Sequence, residues 1–299
     1  MNTKHLIVIV GPTAIGKTSL SIDLAKYYNT EIISADSRQF FKELVIGTAP
    51  PSKKEQSIIP HHFVQHISVE EEYNVGKFEK QAIKKIEELF SLKDKLILVG
   101  GSGLYINAIC DGLDEMPKIS SKIRNEIKQQ YKNNGINFLL NELKEKDPVF
   151  YVQVDKKNPH RLMRALEVIY SANKPFSSFR KRKVKKRNFN IIKVGLQIGD
   201  RNILYNKIND RVDIMIKKGL IEEVESLKKY RSKNALQTVG YKEIFEYFEN
   251  KHTLEEAVNK IKLNSRRFAK RQITWFNRDK DITYFSPSKI DDIINFIGL

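Results

Sequence analysis

The sequence predicts an α/β fold in which helices wrap a parallel sheet, with a mainly helical domain inserted into it. Three observations predict this fold. Five consecutive aliphatic residues, 6–10, lead into a glycine-rich loop; aliphatic segments alternate with helical patterns over the first 100 residues; short amphipathic segments then interrupt that order. Uniformly aliphatic strands are typical of parallel sheets that are buried on both faces. We place the core at residues 1–112 and 191–299 and the insertion at 113–190.

The loop after the first strand, GPTAIGKT, has the spacing of a P-loop, so the predicted fold class is P-loop NTPase-like. Its two glycines allow positive φ, which lets successive N–H groups surround a phosphate at the start of a helix. Lys17 adds a positive charge, and the Thr18 hydroxyl can bind a magnesium ion. A nucleoside triphosphate and any other diphosphate ester would suit the loop equally. The predicted diphosphate-binding residues are Gly11, Pro12, Thr13, Ala14, Ile15, Gly16, Lys17 and Thr18.

The other core elements follow in order along the chain. We predict a helix at 17–28 whose apolar stripe includes Tyr27, a strand at 31–36, a helix at 75–92, a strand at 96–101, a strand at 191–198 that returns to the same sheet, a helix capped by Asp200 with Ile203 in its stripe, and a last helix at 253–276. Ligands bind beyond the carboxyl ends of such strands, so we expect residues 11–18, 36–39 and 100–102 around one crevice.

The strand at 96–101 ends in glycines, where a P-loop NTPase carries an aspartate that helps to hold magnesium. The carboxylate of this chain instead follows the second strand, at Asp36. This arrangement favours a reaction other than hydrolysis of a triphosphate.

The net charge of +17 is concentrated after residue 100. Residues 1–100 carry 13 lysines and arginines against 12 acids, and the remaining residues carry 40 against 24. The insertion is divided by Gly135 and Pro148, and the basic run at 180–187 is expected not to pack into a core. The distribution favours a large polyanionic partner for the later part of the chain, and the run is interpreted as a nucleic-acid arm; a solvated loop and general solubility charge are the alternatives.

Composition excludes some classes of protein. No apolar segment approaches the roughly 18 residues of a membrane helix, and the N-terminus leads directly into the first strand, so we expect a soluble, cytoplasmic protein. The single cysteine, Cys110, excludes an intramolecular disulfide and is expected to be buried. His61, His62 and His66 lie close together without matching acids or cysteines, which favours packing or the rim of a site over a metal site.

Seven stretches occur in an order that resembles the bacterial tRNA dimethylallyltransferase (tRNA isopentenyltransferase) family: GPTAIGKT, ADSRQ, IGTAPP, LVGGSGLY, NPHRLMRALEV, TVGYKE and FAKRQITWF. The resemblance covers nearly the whole chain. It implies that the P-loop binds the diphosphate of dimethylallyl diphosphate with Mg²⁺. It also implies that N6 of an adenosine next to the anticodon, at position 37, attacks the allylic carbon and that pyrophosphate leaves. The implied partner is the anticodon stem-loop of tRNA. The resemblance also implies that the enzyme acts as a monomer and does not bind a membrane.

The resemblance also implies roles for single residues. A weakly nucleophilic amine needs a carboxylate to orient it and accept its proton, a role that we give to Asp36. Lys17 and Arg211 stabilise the charge that develops on the leaving group, and Ser102 stands where the family usually has threonine. The implied tRNA-binding residues are Asp36, Ser37, Arg38, Gln39, Ser102, Arg124, His160, Arg161, Leu162, Met163, Arg164, Gln237, Thr238, Val239, Gly240, Tyr241 and Lys242. The family has glutamine at the place of His160 and often arginine near Gln237 and Lys242.

Two other functions remain open from the residues alone. One is a P-loop kinase that acts on a small metabolite or nucleotide, which would turn over ATP and would not need the positive charge of the later residues. The other is a nucleic-acid-binding NTP switch, which would bind a purine nucleotide and leave the RNA unchanged.

Overall fold

The computed structural model describes residues 3–181 and 183–298, so Arg182 of the basic run lies outside the described residues. The chain divides into two compact units. The first comprises Met1–Cys110 and Lys186–Leu299, and the second comprises Asp111–Lys185.

A six-stranded sheet forms the centre of the first unit, and within the described residues all of its strand pairs are parallel. The strands are β1 His5–Val10, β2 Ile32–Ser34, β3 His61–His62, β4 Lys95–Val99, β5 Asn190–Leu196 and β6 Ile282–Phe285, in the order β3-β2-β4-β1-β5-β6. The predicted α/β class and the return strand are confirmed. The two edge strands, β3 and β6, are additions to the prediction.

Both faces of the sheet are covered, which explains the uniformly aliphatic sequence of β1. Leu6 and Val8 pack into one hydrophobic cluster, Ile7 and Ile9 pack into the other, and all four are fully buried. Successive side chains of a strand point to opposite faces, so a strand with helices on both sides has no position for a polar residue.

The helices are, in chain order, α1 Lys17–Tyr27, α2 Lys53–Ile58, α3 Val75–Phe90, α4 Gly103–Cys110, α5 Ser121–Lys146, α6 Pro148–Gln153, α7 Pro159–Ala172, α8 Phe176–Phe179, α9 Arg201–Lys217, α10 Leu220–Ser226, α11 Tyr241–Phe248, α12 Leu254–Phe276 and α13 Ile290–Gly298. Single-turn 3-10 helices occupy Lys228–Tyr230 and Asn234–Leu236. In the described residues, every helix is too short or too polar to span a bilayer.

Local capping sets the starts of the later helices as predicted. The Asp200 carboxylate accepts a hydrogen bond from the Asn202 N–H at 2.8 Å, and Thr253 and Glu256 form a reciprocal capping box at the start of α12. Two residues that were predicted to lie in the buried apolar stripes do not: Tyr27 is 62% exposed and Ile203 is 47% exposed. The prediction is wrong at these two positions. Leu24 and Leu204, which belong to the same two predicted stripes, are buried.

The second unit consists of α5 to α8 around its own small core. Gly135 interrupts α5 with φ 69°, as its position predicted. The Asp147 carboxylate is 1% exposed and accepts hydrogen bonds from the Phe150 N–H, the Ser177 N–H and the Ser177 hydroxyl, which joins α6 to α8. Leu162 and Met163 of α7 are 0% and 9% exposed. Both side chains pack inside this unit, and the contact of these two residues with tRNA stays a prediction.

The basic run is not uniformly solvated, which corrects the expectation that it cannot pack into a core. Arg187 keeps only 12% of its side chain exposed. It donates to the carbonyls of Ala108 and Ile109 at 2.8 Å each and pairs with Glu79 at 3.2 Å. Burial of Cys110, next to these carbonyls, is confirmed.

Candidate functional site

The P-loop joins β1 to α1 with the backbone that its glycines allow. Gly11 has φ 147° and Gly16, which caps α1, has φ 104°. L-residues rarely adopt these conformations, and they turn the chain directly into the helix N-terminus, where anions are favoured. Ile15 is 1% exposed and packs into the core, so only its backbone can contribute to binding.

The Lys17 ammonium lies inside the curve of the P-loop. Its Nζ donates to the Gly11 carbonyl at 2.9 Å and to the Pro12 carbonyl at 2.7 Å. The pKa of Lys17 is lowered to about 8, chiefly by burial; the Asp36 carboxylate opposes the decrease, and the Arg211 charge contributes to it. A lysine in this state is cationic at neutral pH and poorly solvated, so a diphosphate would be a favourable partner.

A cavity of about 320 Å³ opens over this loop. Its walls come from the ends of β1, β2 and β4, as the strand order of a parallel sheet requires. The lining residues include Thr13, Ala14, Ile15, Gly16, Lys17, Thr18, Ser34, Asp36, Gln39, His61 and Arg211. The predicted diphosphate residues from Thr13 to Thr18 therefore face one space.

Asp36 follows β2 and is fixed by a local turn. One of its carboxylate oxygens, Oδ1, accepts a hydrogen bond from the Arg38 N–H at 3.0 Å. The loops after β2 and β4 are joined by serines, since the Ser102 hydroxyl accepts from the Ser37 N–H at 3.0 Å and contacts the Ser37 hydroxyl at 3.0 Å. The predicted role of Ser102 as a hydrogen-bonding group is thus compatible with its position.

Arg211 reaches the same place from α9. Its guanidinium donates to the Thr48 carbonyl at 3.3 Å, and burial lowers its pKa while Asp36 opposes the change. Gln39 donates to the Thr48 and Ala49 carbonyls at 3.2 Å each, and Arg38 donates to the Asn234 carbonyl at 2.7 Å. These side chains hold the surrounding loops together.

A second cavity, of about 630 Å³, adjoins the first. It combines the segments predicted to contact tRNA in the first unit with residues of α12. Its lining includes Ser37, Arg38, Ser102, Tyr105, Gln237, Thr238, Val239, Gly240, Lys242, Asn264, Arg271 and Trp275. Tyr241, also predicted to contact tRNA, is 0% exposed and its hydroxyl donates to Glu223, so its side chain does not line this cavity.

Five residues line both cavities: Thr13, Asp36, Arg211, Phe268 and Gln272. The two spaces therefore share a wall that holds one carboxylate and one guanidinium. A group bound over the P-loop and a second group in the larger cavity would meet at Asp36 and Arg211.

Gln272 is a site residue that the sequence reasoning missed. It is 5% exposed, its Oε1 accepts from the Thr13 N–H at 2.9 Å, and its Nε2 donates to the Gly101 carbonyl at 2.9 Å. A Cβ at residue 101 would overlap this amide, which explains a glycine at the end of β4. The sequence offered one sign of its role: Gln272 is an uncharged polar residue within the basic segment of α12, three positions before Trp275.

The predicted tRNA-binding residues of the second unit lie on α5 and α7. His160, Arg161 and Arg164 are exposed, and Arg124 is half-buried, with 40% of its side chain exposed. Glu167, which is buried, lies 3.9 Å from Arg124 and 3.6 Å from Arg164, so it holds the two guanidinium groups near each other. The unit thus presents a basic surface built on helices.

The neighbouring histidines have separate partners. His62 bonds to Glu31 at 2.6 Å, the His61 Nδ1 contacts the Ile59 carbonyl at 2.7 Å, and His66 packs edge-on against Phe40. Across residues 3–181 and 183–298, no group of three or more histidine, cysteine, aspartate or glutamate side chains is arranged to hold a metal ion.

The family model described as "IPP transferase" matches residues 39–279. The tRNA dimethylallyltransferase of Christiangramia forsetii is 53% identical over 283 residues, which cover 95% of this chain and 93% of that protein.

Solved structures give the same result for the fold. The tRNA isopentenylpyrophosphate transferase of Bacillus halodurans is 36% identical, with a TM-score of 0.73 over 99% of this chain and 96% of that one. A eukaryotic dimethylallyltransferase, whose structure is described as acting on tRNA, is 27% identical, with a TM-score of 0.80 over 97% of this chain and 75% of that one.

Proposed function

The chain belongs to the IPP transferase family, and from this membership we propose that it transfers a dimethylallyl group from dimethylallyl diphosphate to tRNA. The acceptor is N6 of the adenosine next to the anticodon, at position 37, and pyrophosphate is released. The observation that carries the proposal is the wall common to the two cavities, where Asp36 and Arg211 lie between the P-loop and the larger space.

The smaller cavity is the proposed donor site. The N–H groups of the P-loop, the N-terminus of α1 and Lys17 surround the diphosphate, and its prenyl chain points towards the common wall. As the allylic C–O bond breaks, its electron pair leaves with pyrophosphate. Lys17 and Arg211 stabilise the negative charge that develops there.

The larger cavity is the proposed acceptor site. An adenine that has left its stack enters this space, whose lining offers the aromatic side chains of Tyr105 and Trp275. N6 attacks the allylic carbon, a C–N bond forms, and the proton of N6 passes to the carboxylate of Asp36. In the net reaction, the donor loses pyrophosphate and the adenosine gains the prenyl group in place of a proton.

Magnesium fits this donor site. The hydroxyl of Thr18 lines this cavity and would supply one of the oxygen ligands that Mg²⁺ prefers, but one protein ligand is too few to enclose the ion. Such an ion keeps water molecules and binds phosphate oxygens of the substrate. When bound, it would neutralise part of the charge of the diphosphate.

The tRNA body is proposed to bind to the basic surfaces of both units. Arg124, His160, Arg161 and Arg164 on the second unit, together with the exposed part of the basic run, would contact phosphates, which contribute affinity rather than sequence choice. We place the enzyme in the cytoplasm, where its tRNA substrate is found, and propose that it acts as a monomer.

A transfer experiment tests the proposal. The purified protein is incubated with Mg²⁺, tRNA and either labelled dimethylallyl diphosphate or labelled ATP. We expect label to move to tRNA from the prenyl donor alone. Consumption of ATP with an unchanged tRNA mass would instead support a kinase or an NTP switch and would refute the proposal.

A further inference from the structure

The turn at residues 44–49 forms part of the walls of both cavities. Gly47 and Thr48 line the larger cavity, and Ala49 lines the smaller one. The Thr48 carbonyl accepts hydrogen bonds from Arg211 at 3.3 Å and from Gln39 at 3.2 Å. Within the described residues, this carbonyl is the only protein acceptor of a hydrogen bond from Arg211. The direction of the guanidinium therefore depends on the shape of the turn.

A single carboxylate, that of Glu223 on α10, holds the turn in shape. Three consecutive N–H groups donate to it: Val45 at 3.0 Å, Ile46 at 2.6 Å and Gly47 at 3.0 Å. Consecutive N–H groups that converge in this way form an anion-binding concavity, and hydrogen bonds to a charged acceptor are the strong ones. Here the protein supplies the anion itself.

Tyr241 supports the same turn from the core. Its hydroxyl donates to the Glu223 carboxylate at 2.6 Å, and its ring is fully buried. A Cβ at residue 47 would lie 2.5 Å from that ring, so a glycine is required there. Burial raises the pKa of Tyr241, with the Glu223 charge as a second cause, so the hydroxyl keeps its proton and stays a donor.

We propose that Glu223 and Tyr241 are positioning residues that set the direction of Arg211 through the turn at 44–49. This inference rests on the proposed function, because it assigns to Arg211 the stabilisation of the leaving pyrophosphate. Neither residue lines either cavity. A purely structural role would lower stability and leave the rate of each folded molecule unchanged, whereas a positioning role lowers the rate of transfer itself.

The test is a double-mutant cycle on the rate of prenyl transfer with saturating donor and tRNA. In Glu223→Gln an amide donor replaces one acceptor oxygen, and we expect the rate to fall by up to about a hundredfold, as when a reacting group is displaced slightly. The donor KM should stay within about twofold, since the interaction acts on the transition state. In an Arg211→Gln background, the same change should alter the rate by less than about twofold.

Tyr241→Phe provides an independent second cycle, because it removes only one hydroxyl and keeps the buried ring. Its rate should fall in the Arg211 background and change little in the Arg211→Gln background. Glu225→Gln is the matched control on α10, since Glu225 is exposed and, in the part of the chain that the structure describes, pairs only with Lys228, at 2.8 Å. The rate of this variant should equal that of the wild type.

The outcomes separate the two proposals. If the wild type moves no prenyl group to tRNA, the proposed function fails. If the wild type is active and Arg211→Gln is slow, an equal loss from Glu223→Gln or Tyr241→Phe in both backgrounds overturns the positioning role alone. Full activity of both single variants would overturn it as well.

Discussion

At the scale of single residues, Asp36 combines a fixed position with an available oxygen. Its Oδ1 accepts the Arg38 N–H, and among the described residues no protein group donates to its Oδ2. The carboxylate thus cannot rotate freely, and it lines both cavities. This combination suits a group that must accept a proton from one substrate while it lies beside the other.

Asp36→Asn should lower turnover by about a hundredfold or more, because the amide cannot accept the proton of N6. The amide keeps an oxygen for the Arg38 N–H, so tRNA binding should remain nearly intact. Single-turnover transfer and a tRNA filter-binding assay measure the two effects. Turnover at the wild-type rate would remove Asp36 from the mechanism.

The lowered pKa of Lys17, about 8, predicts that pyrophosphate binds less tightly as the pH rises above that value. Above that pH, the affinity for pyrophosphate should fall by up to about tenfold per pH unit, because the Lys17 ammonium loses its charge. Calorimetric titration with pyrophosphate and Mg²⁺ from pH 7 to 9.5 measures it. Lys17→Met is the control, because it removes the part of the pH dependence that comes from Lys17. Equal pH profiles for both proteins would contradict the prediction.

The same pKa has a consequence for stability. The unfolded chain holds this proton with the ordinary pKa of 10.5, so between about pH 8 and 10.5 the unfolded state binds more protons. The contribution of Lys17 to the free energy of unfolding therefore increases with pH over that interval.

The residues of the P-loop were predictable because their geometry is local, whereas Gln272 was not. Gly11 to Thr18 are adjacent in sequence, and their spacing alone implies the backbone that the structure shows. Gln272 acts through Thr13 and Gly101, which are 259 and 171 positions away. A contact of that range depends on how α12 packs against the sheet, which no local pattern contains.

At the scale of elements, the basic run at 180–187 divides into two kinds of residue. Lys181, Lys183, Lys185 and Lys186 are exposed, while Arg187 is anchored below α4 by two carbonyls and Glu79. The run therefore ends in a fixed residue, just before β5 begins at Asn190.

Arg187→Met should lower the free energy of unfolding by about 3 kcal/mol, because Glu79 and two carbonyls lose a buried partner. Lys186→Met, the neighbouring exposed position, should change it by less than about 0.5 kcal/mol. Urea denaturation followed by circular dichroism compares the two variants. Equal stability of both would mean that Arg187 is no more structural than its neighbour.

Strands were predictable from sequence where both faces are buried, as in β1, and not at the edges. β3 is a pair of histidines, and β6 is the four-residue segment ITYF with a single buried side chain, Ile282. Each is held by pairing with a longer neighbour rather than by its own pattern. The burial of Tyr241 was equally unpredictable, since its hydroxyl depends on Glu223, eighteen positions earlier.

At the scale of the whole molecule, the positive charge is a property of the later sequence, with 40 basic residues against 24 acids after residue 100. Composition alone was sufficient to predict a polyanionic partner. It was not sufficient to predict which basic residues are exposed to a partner, because the side chain of Arg187 is largely buried and pairs with Glu79.

Lys181→Ser combined with Lys183→Ser should weaken tRNA binding and flatten its salt dependence. The slope of log K against log[salt] should decrease in magnitude by about 1 to 2, since each lost phosphate contact contributes about 0.9. Arg182, between the two, lies outside the described residues. Lys80→Ser with Lys84→Ser, two exposed positions of α3 in the nearly neutral first 100 residues, is the matched control. An unchanged slope in the variant with Lys181→Ser and Lys183→Ser would identify the basic run at 180–187 as a solvated loop.

The wall common to both cavities also has a pharmacological consequence. A compound that joins a diphosphate mimic to an adenine through a short linker would span that wall and occupy both spaces at once. Its second half would bind at a high effective concentration once the first is bound, so its affinity would exceed that of either fragment by orders of magnitude. The proposed donor and acceptor sites therefore favour inhibitors that connect two weak ligands across Asp36 and Arg211.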